Sequence, residues 1–327
     1  MKRALICGVS GQDGAYLAKS LLERGYDVTG TSRDARASSF DKLKRLGIYE
    51  AVSLESMAID DFRSVVGVIR KASPQEIYNL AGQSSVALSF QQPVESFESI
   101  GLGTLNLLEA IRFLGEPIRF YSAGSGECFG VTPSEGASED HCFRPRSPYA
   151  VAKAAAFWQV ASYRENYNLF ACSGILFNHE SPLRPARFVT RKIVAAACRI
   201  AAGSDEVLRL GNTSVQRDWG WAPEYVEAMW LMLQQKQPSD FVIATGQCHP
   251  LEAFVSAAFD AVGLNWKNHV ETDRSLIRPS EIQFQRGNPA KAQRELGWKA
   301  RHDMFSVVKM MVGAEREAGA QTSGERG

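Results

Sequence analysis

Arg3-Ala-Leu-Ile-Cys7-Gly8-Val-Ser-Gly11-Gln-Asp-Gly14 is the stretch whose reading decides the fold. A short apolar run ends at Cys7, and glycines follow at positions 8, 11 and 14. Ala15-Tyr-Leu-Ala-Lys-Ser-Leu-Leu-Glu-Arg24 then has helical apolar spacing and stops at Gly25. Strand, glycine turn and helix N-terminus in that order give a glycine motif its meaning. The glycines let the backbone approach a pyrophosphate, and free N–H groups with the helix dipole hold its charge.

Outward from this unit the alternation repeats. Tyr26 to Thr31 reads as a second strand, Ala51 to Met57 as a third, Glu76 to Leu80 as a fourth, Ile118 to Ala123 as a fifth and Phe170 to Phe177 as a sixth. Helices are expected over Asp61 to Lys71, Ser99 to Leu114 and from Pro148 to about Asn166. The pattern predicts an α/β fold with a doubly wound parallel sheet of Rossmann type and a smaller C-terminal α/β substrate domain. Residues 1–178 are expected to form the dinucleotide-binding domain. Residues 179–327 are expected mainly to bind substrate, with segments returning to the first domain and a disordered tail at 318–327. Later helices are expected near 190–202, 223–235, 251–262 and 303–317, with a strand at Phe241 to Ala244.

Ligands of such a sheet lie beyond the carboxyl ends of its strands. The second strand ends at Ser32-Arg33-Asp34, where an acidic group would take a ribose 2′-hydroxyl and an Arg a 2′-phosphate. Arg33 comes first and favours NADP, while Asp34 leaves NAD open. Ala81-Gly82-Gln83-Ser84 follows the fourth strand with small residues suited to close passage of a cofactor ribose.

The chemistry is expected at Tyr149-Ala-Val-Ala-Lys153. A Tyr and a Lys four apart share one helix face, and an ammonium beside a phenol favours phenolate. Such a base would take a proton from a sugar hydroxyl near neutral pH. Ser125 is placed to hydrogen-bond the same hydroxyl, and Glu127 offers a carboxylate for moving a proton on carbon.

Composition narrows the classes. A net charge of +1 argues against nucleic acid or an anionic membrane as the main partner. Met1 to Gly8 reads as a first strand and not as a signal peptide, and no apolar run reaches spanning length. The 6 Cys fall without CxxC or finger spacing, which suits reduced thiols in a cytoplasmic compartment, and no metal site is expected. Past residue 182 Arg and Lys cluster in short blocks, as a lobe binding a doubly charged phosphate group would require.

These motifs resemble the GDP-mannose 4,6-dehydratase family of the extended short-chain dehydrogenase/reductase superfamily, over nearly the whole chain. Gly8-Val-Ser-Gly-Gln-Asp-Gly-Ala-Tyr-Leu17, Asn79-Leu-Ala-Gly-Gln-Ser84, Asn178-His-Glu-Ser-Pro182 and Phe188-Val-Thr-Arg-Lys-Ile193 carry the resemblance. It implies catalytic roles for Ser125, Glu127, Tyr149 and Lys153. It implies NADP contacts from Gly8, Ser10, Gly11, Gln12, Asp13, Arg33, Leu80, Ala81, Gln83, Lys153, His179 and Arg184. It implies GDP-sugar contacts from Ser84, Asn178, Lys192, Arg217, Arg278 and Glu281, and a homodimer or homotetramer. The sequence departs from the family pattern at Gly124-Ser-Gly-Glu127, at Asp34 after Arg33, at Pro185 and at Glu95.

The reaction this implies oxidises the sugar at C4, eliminates water across C5 and C6 with Glu127 moving the C5 proton, and returns the hydride to C6. Three other readings stay open on the sequence: a dehydratase of a larger GDP-sugar such as a GDP-heptose, an NADPH-dependent reductase or epimerase of a keto-sugar nucleotide, and a non-catalytic NADP-binding scaffold.

Overall fold

The computed structural model describes residues 1–277 and 280–324, with side chains described through residue 319. Arg278 therefore lies outside the described residues. Seven parallel strands form the main sheet: β1 (Arg3–Cys7), β2 (Asp27–Ser32), β3 (Ser53–Ser56), β4 (Glu76–Asn79), β5 (Arg119–Ala123), β6 (Ala171–Leu176) and β7 (Phe241–Ile243). Their spatial order is β3-β2-β1-β4-β5-β6-β7. The register is tight at the centre, with Ile6 opposite Gly30 on one side and Tyr78 on the other.

β1 shows why the sheet is covered on both faces. Ala4 and Ile6 enter one apolar core with Leu17, Leu21 and Met229, and Leu5 and Cys7 enter the other with Val65, Leu107 and Val160. Side chains alternate along a strand, so an unbroken apolar run must be buried twice. The first core lies under α1 (Gln12–Glu23). The second lies under α2 (Phe62–Ala72), α3 (Gly103–Leu114) and α4 (Pro148–Tyr167). Asp61 caps α2 by accepting from Arg63 N at 2.8 Å. Ser147 caps α4 by accepting from Ala150 N at 3.1 Å, with Pro148 in the first turn. The helix expected from Ser99 is regular only from Gly103. Before it, Glu98–Leu102 forms a π-helical turn that brings Ser99 Oγ to accept from Gln83 N at 3.3 Å.

A third core belongs to the C-terminal lobe, built on α5 (Val189–Ala201), α7 (Leu251–Asp260) and α8 (Met304–Gly324), while α6 (Ala222–Gln234) packs back on the main sheet beside α1. The helical backbone of α8 runs through Gly324, into the segment expected as a disordered tail from residue 318. Continuation of a helix already docked at Met304, Val308 and Met311 needs no new nucleation, which explains the difference.

Candidate active site

The sheet order reverses between β1 and β4, and the loops leaving these two strands meet there. Gly8 has φ +86°, and a Cβ on it would lie 3.0 Å from the backbone of Leu80 and Ala81. A Cβ on Gly14 would lie 2.4 Å from Gly8 O. Gly11 precedes α1 without a side-chain cap, which leaves the first-turn N–H groups to an anion. This is a cradle shaped for the pyrophosphate of a nicotinamide dinucleotide, bounded by Gly8, Ser10, Gly11 and the start of α1.

Gln12 does not offer its side chain to that cradle. It is buried, with Nε2 donating to His179 O at 3.2 Å and Oε1 accepting from Ser181 Oγ at 2.7 Å. Asp13 faces His179, whose Nε2 lies 2.9 Å from Asp13 Oδ2 and whose Nδ1 lies 2.7 Å from Phe177 O. The His179 ring stacks on Tyr225 at 4.4 Å.

At the adenosine end, Arg33 is exposed and its guanidinium lies 3.2 Å from Glu95 Oε1. Asp34 closes a local turn, its Oδ1 accepting from Arg36 N at 2.8 Å and Ala37 N at 3.1 Å. The side chain of Gln83 is folded onto Ser85, donating to Ser85 O at 2.8 Å.

The reactive groups come from β5 and α4. Ser125 is buried and caps the short turn Gly126–Phe129, accepting from Glu127 N at 3.3 Å. Tyr149, also buried, sits at the start of α4 beside Ser125, and Lys153 lies one turn on. Lys153 Nζ donates to Ala123 O at 2.7 Å and stands 5.9 Å from the centre of the Tyr149 ring. The expectation that Lys153 presets Tyr149 as phenolate is corrected here. Burial pushes the phenol well above the ordinary tyrosine value, and the Glu127 carboxylate adds to the rise, while the Ser125 hydroxyl and Arg184 draw it part of the way back. Burial also pulls Lys153 down to about 8, so its ammonium is not a fixed full charge.

One cleft of about 450 Å³ joins these groups. Asp13, Leu80, Ala81, Gln83, Ser84, Ser125, Glu127, Tyr149, Lys153, Asn178, His179, Arg184, Lys192, Arg217 and Glu281 all line it, while Gly8, Ser10, Gly11, Gln12 and Arg33 are not among its lining residues. Toward the substrate lobe the lining turns cationic, with Arg184, Arg187, Lys192, Arg209 and Arg217. Lys192 Nζ donates to Arg209 O at 2.8 Å, which aims it along this wall. Two supports escaped the sequence reading. Glu180, fully buried, accepts from Thr190 Oγ1 at 2.6 Å and pairs with Arg184 Nε at 3.2 Å. Asp218, also fully buried, accepts from Thr245, Gly246 and Gly287 and so ties those two segments to the one that carries the cleft residues Arg217 and Trp219. Asp218 stands beside Trp219 and Trp221, a carboxylate in an aromatic block, and that signal would have found it; Glu180 lies between His179 and Ser181, where nothing local marks it.

The fold and this cleft define a nicotinamide-dinucleotide enzyme of the extended short-chain dehydrogenase/reductase class. Residues 5–311 match the GDP-mannose 4,6 dehydratase family. The chain is 46% identical to GDP-mannose 4,6 dehydratase 1 of Arabidopsis thaliana over 97% of its own length and 90% of that protein. It is 41% identical to GDP-mannose 4,6-dehydratase of Vibrio cholerae, over 95% of this chain and 93% of the other. Among solved structures, dTDP-glucose 4,6-dehydratase DesIV of Streptomyces venezuelae with NAD and TYD bound superposes with a TM-score of 0.87 at 20% identity, covering 98% of each chain. RMD of Pseudomonas aeruginosa complexed with NADPH superposes at 0.79 with 21% identity, over 97% of this chain and 100% of the other. The chain belongs to the GDP-mannose 4,6-dehydratase family, and its activity is that of a hydro-lyase acting on GDP-mannose. Among the described residues no helix is long and apolar enough to cross a membrane.

Proposed function

We propose that this chain converts GDP-mannose to GDP-4-keto-6-deoxy-mannose with Tyr149, Ser125, Glu127 and Lys153 as its catalytic residues and NADP as its cofactor. The observation that carries this reading is the meeting of those four side chains with a cationic wall in one cleft. Gly8, Ser10, Gly11 and the first turn of α1 would hold the pyrophosphate, and Lys153 and Ala81 the nicotinamide ribose. Bound there, the dinucleotide supplies a hydride acceptor at C4, a hydride donor at C6 and, when oxidised, a positive ring beside the phenol.

With its own proton lost to solvent once the oxidised ring and the Lys153 ammonium stand beside it, Tyr149 as phenolate takes the proton of the sugar O4 hydroxyl, and Ser125 donates a hydrogen bond to the oxygen as it becomes a carbonyl. The C4 ketone acidifies the C5 proton. Glu127 removes that proton and delivers one to the departing C6 hydroxyl, so one water leaves and a C5–C6 double bond forms. As C6 is reduced, C5 takes up the proton that Tyr149 removed from O4, passed on through the Glu127 carboxylate, so that both residues end as they began. Lys192 and Arg217 hold the diphosphate of the GDP-sugar, Arg184 stays with the dinucleotide, and Glu281 accepts from donors of the nucleoside.

NADP is favoured over NAD because one Asp34 oxygen, Oδ1, is already engaged by two backbone N–H groups of its own turn. Among the described residues Arg33 is held by an exposed pair with Glu95. Such a pair contributes about 0–1 kcal/mol, so a 2′-phosphate displaces Glu95 at little cost. The glycines flanking Ser125 do not enlarge the sugar site. A Cβ on Gly124 would lie 3.0 Å from Gly174 O, and one on Gly126 would lie 3.1 Å from the Phe177 ring. Each added Cβ would meet protein atoms, at Gly174 of β6 and at the Phe177 ring, so the space its absence leaves is already filled.

The test is incubation of the purified protein with GDP-mannose and catalytic NADP, followed by mass spectrometry of the sugar nucleotide. Loss of one water with no net change in reduced cofactor is the expected result. Steady consumption of NADPH, or an intact sugar with bound cofactor, would overturn the dehydratase assignment.

A further inference from the structure

Asp13 poses a problem for the cofactor site. It is an acidic residue in the first turn of the helix whose N-terminus must accept a pyrophosphate. A bare carboxylate there repels the ligand over a few ångströms in a poorly screened pocket. The geometry around it supplies the answer. Phe177 O can only accept, so the 2.7 Å contact fixes a proton on His179 Nδ1. The other ring nitrogen, Nε2, faces a carboxylate oxygen of Asp13 at 2.9 Å. With both ring nitrogens on acceptor oxygens, the arrangement is complete when the ring carries two protons. Gln12 Nε2 donates to the second Asp13 oxygen at 3.0 Å, so each carboxylate oxygen has a donor.

We propose that His179 is held as an imidazolium by Asp13, and that Asp13 is a positioning residue, not a phosphate ligand. Its negative charge is cancelled by His179, so that the anion site at the start of α1 stays electropositive. This rests on the dinucleotide reading given above. Burial opposes the charged ring, but the charge and hydrogen bond of Asp13 outweigh it and raise His179 above its ordinary value. Burial likewise opposes the Asp13 carboxylate, yet His179, Gln12 and Arg184 hold it below the ordinary range. The other titratable groups facing the pair are Arg184, Lys153, Tyr16, Tyr121 and, stacked on the ring, Tyr225. Arg184 is a second cation against the ring and resists its protonation; the tyrosines are neutral across the physiological range.

The sign of the pH effect follows. The pair is charged between the lowered value of Asp13 and the raised value of His179. Above the latter the ring loses its proton, Asp13 is left uncompensated, and dinucleotide affinity falls.

The experiment is a double-mutant cycle read by equilibrium NADP binding, with imidazole ¹⁵N spectra of the wild-type protein free of dinucleotide. His179→Gln strands the carboxylate and is expected to weaken binding about tenfold or more. Adding Asp13→Asn to it removes the stranded charge and is expected to recover most of that loss. The spectra are expected to show both His179 nitrogens protonated near neutral pH. Equal weakening in the single and double variants, or a neutral His179 tautomer, would overturn the inference. A wild-type protein that binds no dinucleotide would instead overturn the cofactor reading, and the spectra would still decide the ion pair.

Discussion

Lys153 is expected to set the pH range of the proposed reaction, because burial brings its ammonium down to about 8 and, among the described residues, its hydrogen bond goes to Ala123 O. Below that value the charge is present beside the cleft; above it the charge is lost. Since kcat/KM reports groups of the free enzyme, it is expected to fall on the alkaline side with a midpoint near 8. A pH–rate profile checks this, and a flat profile through that region would separate Lys153 from the reaction. Glu127→Gln is expected to lower turnover by about 10²-fold or more, the usual worth of a general acid–base group. Deuterium incorporation at C5 from heavy water should disappear with it; its persistence would assign proton transfer at C5 to another group. Glu95 makes a different prediction. Replacing it with Ala frees Arg33 and removes a negative charge from the 2′-phosphate site. NADP affinity is expected to rise up to about fivefold, with NAD affinity unchanged. Titration of both dinucleotides decides it, and equal gains for both would mean that Arg33 does not read the phosphate. At this scale the sequence made the reactive groups legible through their types and spacing. Their proton affinities were not legible, since burial, Glu127 and Arg184 reach Tyr149 only through the fold.

Elements carry the site by close contact of backbones, and there substitutions act through geometry. A Cβ on Gly14 would meet Gly8 O at 2.4 Å and Val9 Cα at 2.7 Å, both backbone atoms of the turn before α1. Gly14→Ala must therefore move the turn or the helix, and is expected to cost about 2–3 kcal/mol and to abolish tight dinucleotide binding. Asp218 does the same work by hydrogen bonding. Its two oxygens accept from Thr245 N at 2.9 Å, Thr245 Oγ1 at 2.6 Å, Gly246 N at 2.9 Å and Gly287 N at 3.4 Å. Burial still pushes it up to about 6, so its ionised form is sustained against desolvation by those donors. An Asn there would turn one acceptor into a donor facing donors. Asp218→Asn is expected to destabilise the fold by about 1–3 kcal/mol, seen as a lower urea midpoint at unchanged slope. The strands and helices themselves were legible because β1 alternates between two cores and because Asp61 and Ser147 are strong caps. The π-helical turn Glu98–Leu102 was not. It depends on Gly101 packing against the Phe97 ring and Gly103 against Ile59, contacts that no local pattern encodes.

The whole molecule is woven in a way that bears on its stability. The chain leaves the main sheet for the substrate lobe at α5, returns with α6 and β7, and leaves again with α7. It comes back with Ala292, Leu296 and Trp298 in the sheet core and ends with α8 in the lobe core. Glu224 of α6 fastens the last crossing. It is fully buried and accepts from Arg301 Nε at 3.1 Å and His302 Nδ1 at 2.8 Å, while its carbonyl accepts from Trp298 Nε1 at 2.9 Å. Neither core can lose its helices without pulling segments out of the other. The two lobes are therefore expected to unfold in a single calorimetric transition, although a chain of this length often shows two. On the proposed reading GDP lies against the cationic wall of the cleft and binds the folded form. At a hundredfold excess over its dissociation constant it should add about 2.7 kcal/mol to the whole protein and shift that one transition upward intact. A ligand that moved only one of two resolved transitions would show instead that the substrate lobe melts on its own. The crossings at α6 and β7 would then be contacts without cooperativity.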